Sequence, residues 1–111
     1  LEQDRRMIEF SIIDEADQQF ATVLDGRRVT IRLRYNVTID RWSFDLAIDD
    51  QPVLTGRRIV TGIDMLAPFN LGIGALFALA EKDGAVPDRN SLPRGIVRLY
   101  HASEAEMAEV A

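Results

Sequence analysis

The sequence contains no cysteine, a single histidine (His101) and a single lysine (Lys82). Without cysteine the chain can form no disulfide scaffold, thiolate metal site or cysteine nucleophile. A Ser-His-Asp triad needs a positioned base and an activated serine, and no serine stands in a recognisable nucleophile motif. We interpret His101 as a structural or surface residue. We therefore predict that the protein is not an enzyme and has no catalytic, cofactor-binding or metal-binding residues.

Long apolar runs are also missing. The most apolar stretch, residues 65–80, is interrupted by Pro68 and Asn70 and falls short of the roughly 20 residues that span a bilayer, so we expect no membrane partner. The first six residues are polar and lack the apolar core of a signal peptide. Because Met7 is a plausible start, we expect residues 1–6 to be a cloning or upstream remnant and residues 7–111 to form a single β-rich domain.

The charge balance argues against one class of function. Acidic residues outnumber basic residues by 18 to 13, which gives a formal net charge of −5. A protein that binds nucleic acid through bulk electrostatics carries the opposite balance. Twelve of the basic residues are arginine, whose planar guanidinium suits protein interfaces, although a GC-rich genome gives the same bias. The length of 111 residues and the 47% hydrophobic content indicate one globular domain.

Alternating apolar and polar residues predict two amphipathic strands, each with one buried face. The turn at Asp25-Gly26 precedes the first strand and predicts a hairpin with residues 19–24. A further strand is expected over residues 8–13. The apolar positions of the two clearest strands are Val29, Ile31, Leu33, Tyr35 and Val37 in the first, and Trp42, Phe44, Leu46 and Ile48 in the second.

Turn residues divide the rest of the chain. We expect a turn at residues 49–52, ending at Pro52, and a strand over residues 53–61 in which Gly56 marks a bulge or a close approach of another backbone. Residues 62–70 are interpreted as a packed loop or single helical turn, residues 71–81 as a buried strand, residues 85–95 as a loop and residues 96–101 as the last strand. Ser103 and Glu106 have the spacing of a capping box, which predicts a short terminal helix with Met107 and Val110 on its apolar edge. The predicted fold is mainly β: a single small antiparallel β-barrel or sandwich of about seven strands with a short C-terminal helix.

Two groups of residues resemble ligand sites only weakly. Residues 14–17 and 49–50 are acidic and could collect a cation, but neither has the spacing of a calcium loop, so we interpret both as solvated turns. Gly72 and Gly74 resemble part of a phosphate-binding loop, but the third glycine and the lysine are missing. No cofactor is expected.

The best candidate for a functional surface is a basic strand face. Alternation places Arg28, Arg32, Arg34 and Asn36 on the solvent side of one strand. Three interpretations stay open: a solvated face paired with acids such as Asp45 or Asp49, a contact with an acidic protein, or a contact with the phosphates of nucleic acid. Tyr35, Trp42 and Phe44 are expected in the core and not as stacking platforms for bases.

The order and spacing of several short elements resemble a known family. They are Asp25-Gly26, residues 31–36 (IRLRYN), residues 41–46 (RWSFDL), Leu54-x-Gly56, Gly62-x-Asp64-x-Leu66, Asp83-Gly84 and residues 98–100 (RLY). Together, over nearly all of residues 7–106, they resemble the baseplate plug domain family of contractile-tail phages, represented by the cyanophage-type plug.

The resemblance implies a virion structural protein of a phage or prophage tail, assembled in the bacterial cytoplasm. Such a plug or adaptor would lie near the tail axis and contact the hub and tail-tube proteins, with the tape measure as a further possible partner. It would close the lumen before ejection, and a homo-oligomer such as a trimer would match the symmetry of a hub. The rival hypothesis is a small β-barrel that binds nucleic acid or a ligand, although nucleic acid is an unlikely partner at this net charge.

Overall fold

A computed structural model describes residues 7–110, apart from the side chain of Val110. The expectation for residues 1–6 therefore lies outside the described residues. Within the described part, the chain forms seven strands, one 3-10 turn and one α-helix. They are β1 (Ile8–Glu9), β2 (Asp17–Leu24), β3 (Arg27–Asn36), β4 (Arg41–Ile48), β5 (Gln51–Arg58), the 3-10 turn (Ala67–Phe69), β6 (Ala75–Ala80), β7 (Val97–Ala102) and α1 (Glu104–Val110).

The strands form two antiparallel sheets and no closed barrel. Strands β2, β3, β4 and β5 follow one another as a four-stranded meander, whereas the three-stranded sheet has the order β1-β7-β6. Buried residues of both sheets belong to one hydrophobic cluster, and a single parallel bridge joins Thr61 to Ala78 of β6. The mainly β prediction is confirmed, and the barrel alternative is wrong.

The two amphipathic strands pair as their alternation predicts, but the first ends at Asn36, so the prediction of Val37 on its buried face is wrong: Val37 lies in the turn and is exposed. In the β3–β4 ladder Ile31 lies opposite Leu46, and Leu33 lies opposite Phe44. All four side chains are at most 1% exposed, while the residues between them face solvent. The apolar face of this sheet therefore supplies the centre of the core, and its polar face is left open.

The turn before β5 differs from the expectation. Asp49 and Asp50 both have positive φ, 50° and 66°, and form a two-residue hairpin turn of the kind that needs this conformation. The predicted turn over residues 49–52 is therefore too long, and Pro52 lies within the strand. Proline is tolerated there because β5 is an edge strand with one unpaired side.

The bulge predicted at Gly56 is confirmed. The β4–β5 register shifts between Phe44 and Leu46, so that Thr55 and Gly56 together lie opposite Asp45. Gly56 has φ 65°, and its N–H donates to Asp45 Oδ1 at 2.7 Å. The carboxylate thus satisfies a donor that the regular ladder would have paired.

The predicted strand over residues 8–13 is only partly correct. Strand β1 contains two residues, pairs with β7 and does not join the meander. The ladder ends after Phe10, whose N–H donates to Leu99 O at 2.9 Å. The backbone N–H and C=O of Ile13 instead bond to the side-chain amide of Gln18, so this segment has its hydrogen bonds without being a strand.

The later elements follow the prediction with narrower limits. The buried strand expected over residues 71–81 begins only at Ala75, because Gly72 and Gly74 have φ of 74° and 90°. The capping box is confirmed, since Ser103 N–H donates to Glu106 Oε1 and Glu106 N–H donates to Ser103 Oγ. The helical turn expected within residues 62–70 is present as the 3-10 turn.

Among the described residues, no helix is long and apolar enough to cross a bilayer.

One polar junction joins the first hairpin to the end of the chain. Asp25, in the β2–β3 turn, accepts a hydrogen bond from Glu104 N–H at the start of α1 (3.0 Å). The carboxylate of Glu104 in turn accepts from Gly74 N–H (2.8 Å). His101 is 3% exposed in β7, with Nε2 2.6 Å from Ile73 O and 4.0 Å from the Asp25 carboxylate. The structural interpretation of His101 is confirmed, and it is not a surface residue.

Candidate protein-interaction face

The candidate residues lie together, as their alternation predicts. Arg28, Arg32, Arg34 and Asn36 all lie on the solvent side of β3, on the face opposite to the buried Val29, Ile31 and Leu33. The side chains of Arg28, Arg32 and Arg34 are 57%, 42% and 39% exposed. We call these four residues the arginine face.

Each arginine of the arginine face is held by an aspartate. Arg32 makes two hydrogen bonds to Asp17, at 2.9 and 2.6 Å, Arg34 donates to Asp45 at 2.8 Å, and Arg28 bonds to Asp50. Asp45 is the partner expected from the sequence, whereas Asp49, the second expected acid, bonds instead to Arg27 at 3.0 Å. The face therefore consists largely of neutral ion pairs.

Two of these pairs cross the ladder diagonally. Asp17 lies directly opposite Arg34, and Arg32 lies directly opposite Asp45, yet the bonds join Arg32 to Asp17 and Arg34 to Asp45. Every charge of this quartet has an opposite charge both across the ladder and along the diagonal. The quartet fixes the arginine side chains in place and balances their charge.

The hydrogen bond from Arg32 lowers the pKa of the Asp17 carboxyl, and the charges of Arg32 and Arg34 act in the same direction. The same bond raises the pKa of Arg32. Because the pKa of Asp17 is lower in the folded state, its ionised carboxylate adds to the free energy of unfolding at pH values above its ordinary pKa of 3.8. This contribution is lost as the pH falls through the pKa of the folded state.

The Asp17→Asn variant is expected to flatten the acid end of the stability profile. Asparagine does not titrate, so the free energy of unfolding of the variant falls less steeply below about pH 4 than that of the wild type. Urea unfolding at a series of acidic pH values measures the slopes. Asp83→Asn is the matched control, because Asp83 is exposed and has no ion pair among the described residues. Equal slopes for Asp17→Asn and the wild type would contradict the assigned role of Asp17.

Asn36, the fourth residue of the face, stabilises the β3–β4 turn. Its Oδ1 accepts a hydrogen bond from Thr38 N–H at 2.9 Å, an Asx turn of the type that asparagine favours. The aliphatic side chains of this turn, Val37 and Ile39, are 79% and 44% exposed. The end of the arginine face is thus bordered by apolar surface.

Two arginines that sequence reasoning did not single out lie beside this turn. Arg41 and Arg58, with Arg34, line a shallow cleft of about 630 Å³. Arg41 donates to Asp40 O at 2.8 Å, and the Arg58 guanidinium has no ion-pair partner within residues 7–110. Because Trp42 is expected on the buried side of its strand, alternation could have placed the preceding Arg41 on the solvent side. The side of Arg58 could not be read by alternation from the buried Leu54, because the register shift at Gly56 lies between the two residues.

The other candidate groups are occupied by contacts within the chain. Asp14 bonds to Arg89 at 2.8 Å, and Asp17, Asp49 and Asp50 each bond to an arginine of β3. In the part of the chain that the structure describes, no cluster of three or more metal-ligating side chains exists. The N–H of Gly74 that a phosphate would need is bonded to a carboxylate.

The sequence comparisons identify the family of the chain. A family model described as "Cyanophage baseplate Pam3 plug gp18" matches residues 7–104, which is well over half of the chain. No curated protein matches the chain. The matched range contains every residue of the arginine face and of the neighbouring cleft.

Proposed function

Because the chain belongs to the cyanophage baseplate plug family, we propose that it is a plug or adaptor near the tail axis that contacts the hub and tail-tube proteins. Membership of the family gives it a structural role in a phage baseplate and a location in the virion tail. The finer proposals are assembly in the bacterial cytoplasm, closure of the lumen before ejection and the absence of enzymatic activity. The match over residues 7–104 carries the proposal.

We propose that the cleft at the end of the arginine face contacts an acidic segment of a neighbouring tail protein. The guanidinium groups of Arg28, Arg32 and Arg34 are already bonded to carboxylates, so their free capacity for a partner is small. Arg41 and Arg58 have no carboxylate bonded to them among the described residues. Guanidinium groups bind carboxylates in a two-pronged geometry, and the exposed Val37 and Ile39 add apolar contact area.

The ion-paired quartet and the neighbouring cleft then have different tasks. The ion-paired quartet keeps Arg34 and the sheet surface in a fixed geometry, and the cleft supplies the charge that meets the partner. A partner surface rich in aspartate and glutamate complements it, and such complementarity governs association rate and specificity. The net charge of −5 repels an acidic partner from the rest of the surface, so this local positive site is where its approach is favoured.

The Arg41→Glu/Arg58→Glu variant is expected to lose assembly with neighbouring tail proteins. Co-expression with the products of the adjacent tail genes, followed by size-exclusion chromatography, detects the complex. Charge reversal places like charges in the contact, so we expect binding at least about tenfold weaker, with greater loss at low salt. The matched control is Arg94→Glu, an exposed arginine outside the cleft with no ion pair in the described residues.

The outcomes separate the family role from the contact site. If the wild type forms no complex with any of these proteins, the proposed plug role is wrong. If the wild type and the cleft variant bind equally well, the role stands and the cleft is not the contact.

The ion pairing of Arg28, Arg32 and Arg34 also weakens the nucleic-acid alternative, for which a steeply salt-dependent signal in filter binding would be required.

A further inference from the structure

The two sheets have four outer edges, and three of them are blocked within the described chain. Strand β1 is only two residues long. The open side of β6 is covered by residues 61–65: Gly62 N–H donates to Ala78 O, and Met65 N–H donates to Leu76 O. Strand β5 contains Pro52 and two register shifts. Short strands, covering loops, prolines and bulges are the features that keep sheet edges from pairing.

Strand β2 has none of these features. All eight of its residues pair in register with β3 without a bulge, and β2 contains no proline, glycine, lysine or arginine. Its only charged residue, Asp17, is the first in the strand. An eight-residue regular edge without a charge near its centre is a template for another strand.

The free backbone groups of β2 can be assigned. The N–H of Tyr35 donates to Ala16 O at 2.8 Å, so Ala16 belongs to the hydrogen-bonded positions that face β3. Hydrogen-bonded and non-hydrogen-bonded pairs alternate in an antiparallel ladder, which leaves the odd-numbered residues facing away from β3. Asp17, Gln19, Ala21 and Val23 therefore direct their N–H and C=O groups to the open edge.

We propose that β2 pairs antiparallel with β2 of a second copy of this chain, extending the four-stranded sheet into a continuous sheet of two copies. The register that uses all four outward positions places Asp17 opposite the partner's Val23 and Gln19 opposite the partner's Ala21. No like charges face each other in this register. Val23, 66% exposed in the single chain, gains a neighbour across the new ladder.

The number of open sheet edges on each chain also indicates that the two copies are related by a two-fold axis. A ring of copies needs two different open edges on each chain, and the described residues offer only β2 as a regular one. Pairing of β2 with itself is isologous, so it closes after two copies. The dimer thereby differs from the trimer that the family resemblance implies. The inference stands apart from the proposed function, because it uses the sheet edges alone.

Light scattering coupled to size-exclusion chromatography of the whole chain tests the dimer. The wild type is expected at twice the mass of one chain. Val23→Asp, which faces the partner's Asp17, and Ala21→Pro, which removes an outward N–H but no bond to β3, are expected to be monomeric. Val23→Lys is the matched control, because lysine opposite Asp17 keeps the dimer. Circular dichroism shows whether each variant is folded.

Amide hydrogen exchange gives a second readout that needs no variant. The N–H groups of Gln19, Ala21 and Val23 are expected to become protected as the protein concentration rises, since they have no hydrogen-bond partner among the described residues of the single chain. A monomeric or trimeric wild type would overturn the proposal. So would a folded Val23→Asp variant that stays dimeric, a monomeric Val23→Lys variant, or unprotected amides at these three positions. A strand from another protein in place of a second copy would leave the wild type monomeric.

Discussion

Gly74→Ala is expected to lower the free energy of unfolding by at least about 3 kcal/mol, a large fraction of the total for a domain of this size. A Cβ at this position would lie 2.1 Å from Ala102 O and 2.8 Å from His101 Nε2. The first contact is to backbone in the last residue of β7, so a side-chain rotation cannot relieve it. The φ of 90° adds strain for any residue with a side chain.

Gly72→Ala is the matched control for this prediction. Gly72 also has a positive φ of 74°, but a Cβ there meets nothing within 4 Å. We expect only the conformational cost of about 1 kcal/mol. Urea unfolding followed by circular dichroism measures both variants against the wild type. Equal losses for the two would mean that backbone conformation alone, and not the close approach to Ala102, makes glycine necessary at position 74.

Trp42→Ala is expected to cost about 3–5 kcal/mol of stability, the range for removing a large buried aromatic side chain. Trp42 is 1% exposed and packs against the ring of Tyr35 at a centroid distance of 5.5 Å. Its Nε1–H donates to Asp88 O at 2.8 Å and so ties β4 to the loop before β7. The alanine variant loses both the packing and this bond, leaving Asp88 O without its donor.

Trp42→Phe separates the two contributions. Phenylalanine keeps most of the apolar contact but cannot donate to Asp88 O, so we expect a loss of about 1–3 kcal/mol. Tyr35→Phe serves as the comparison, since it removes only the exposed hydroxyl that donates to Asp40. Denaturant unfolding monitored by circular dichroism is the measurement. Tryptophan fluorescence cannot be used, because Trp42 is the single tryptophan of the chain and both Trp42 variants lack it. A Trp42→Phe variant as unstable as Trp42→Ala would place the whole effect in the hydrogen bond.

The sequence predicts those elements whose periodicity comes from a single buried face. The alternation of β3 and β4 and the capping box at Ser103 were predicted correctly because each depends on local spacing. The limits of β1 were not predictable, because the Gln18 side chain takes the backbone bonds of Ile13. The turn over residues 49–52 was predicted too long because its end was placed at Pro52. The two-residue turn depends instead on the positive φ of Asp49 and Asp50, which the presence of a proline does not reveal.

The candidate site was predictable in its position and not in its pairing. Alternation placed the arginines of β3 on one face, but the diagonal bond from Arg32 to Asp17 depends on the register of β2. Arg58 lies on the side of β5 opposite to the buried Leu54, although unbroken alternation would put both on one side, because the register shift at Gly56 lies between them. Contacts set by pairing between distant strands are not encoded in local spacing. The sequence therefore indicated the face, and the structure located the arginines that lack carboxylate partners.

The connectivity of the two sheets sets an order in which the molecule can fold. The four-stranded sheet is contiguous in the chain, from Asp17 to Arg58, so its hairpins close over short loops. The three-stranded sheet needs Ile8 to find His101, and the bond from Glu104 to Asp25 joins residues 79 positions apart. Long loops close later and more slowly. We therefore expect the arginine face to form before the three-stranded sheet, and the C-terminal helix to dock last.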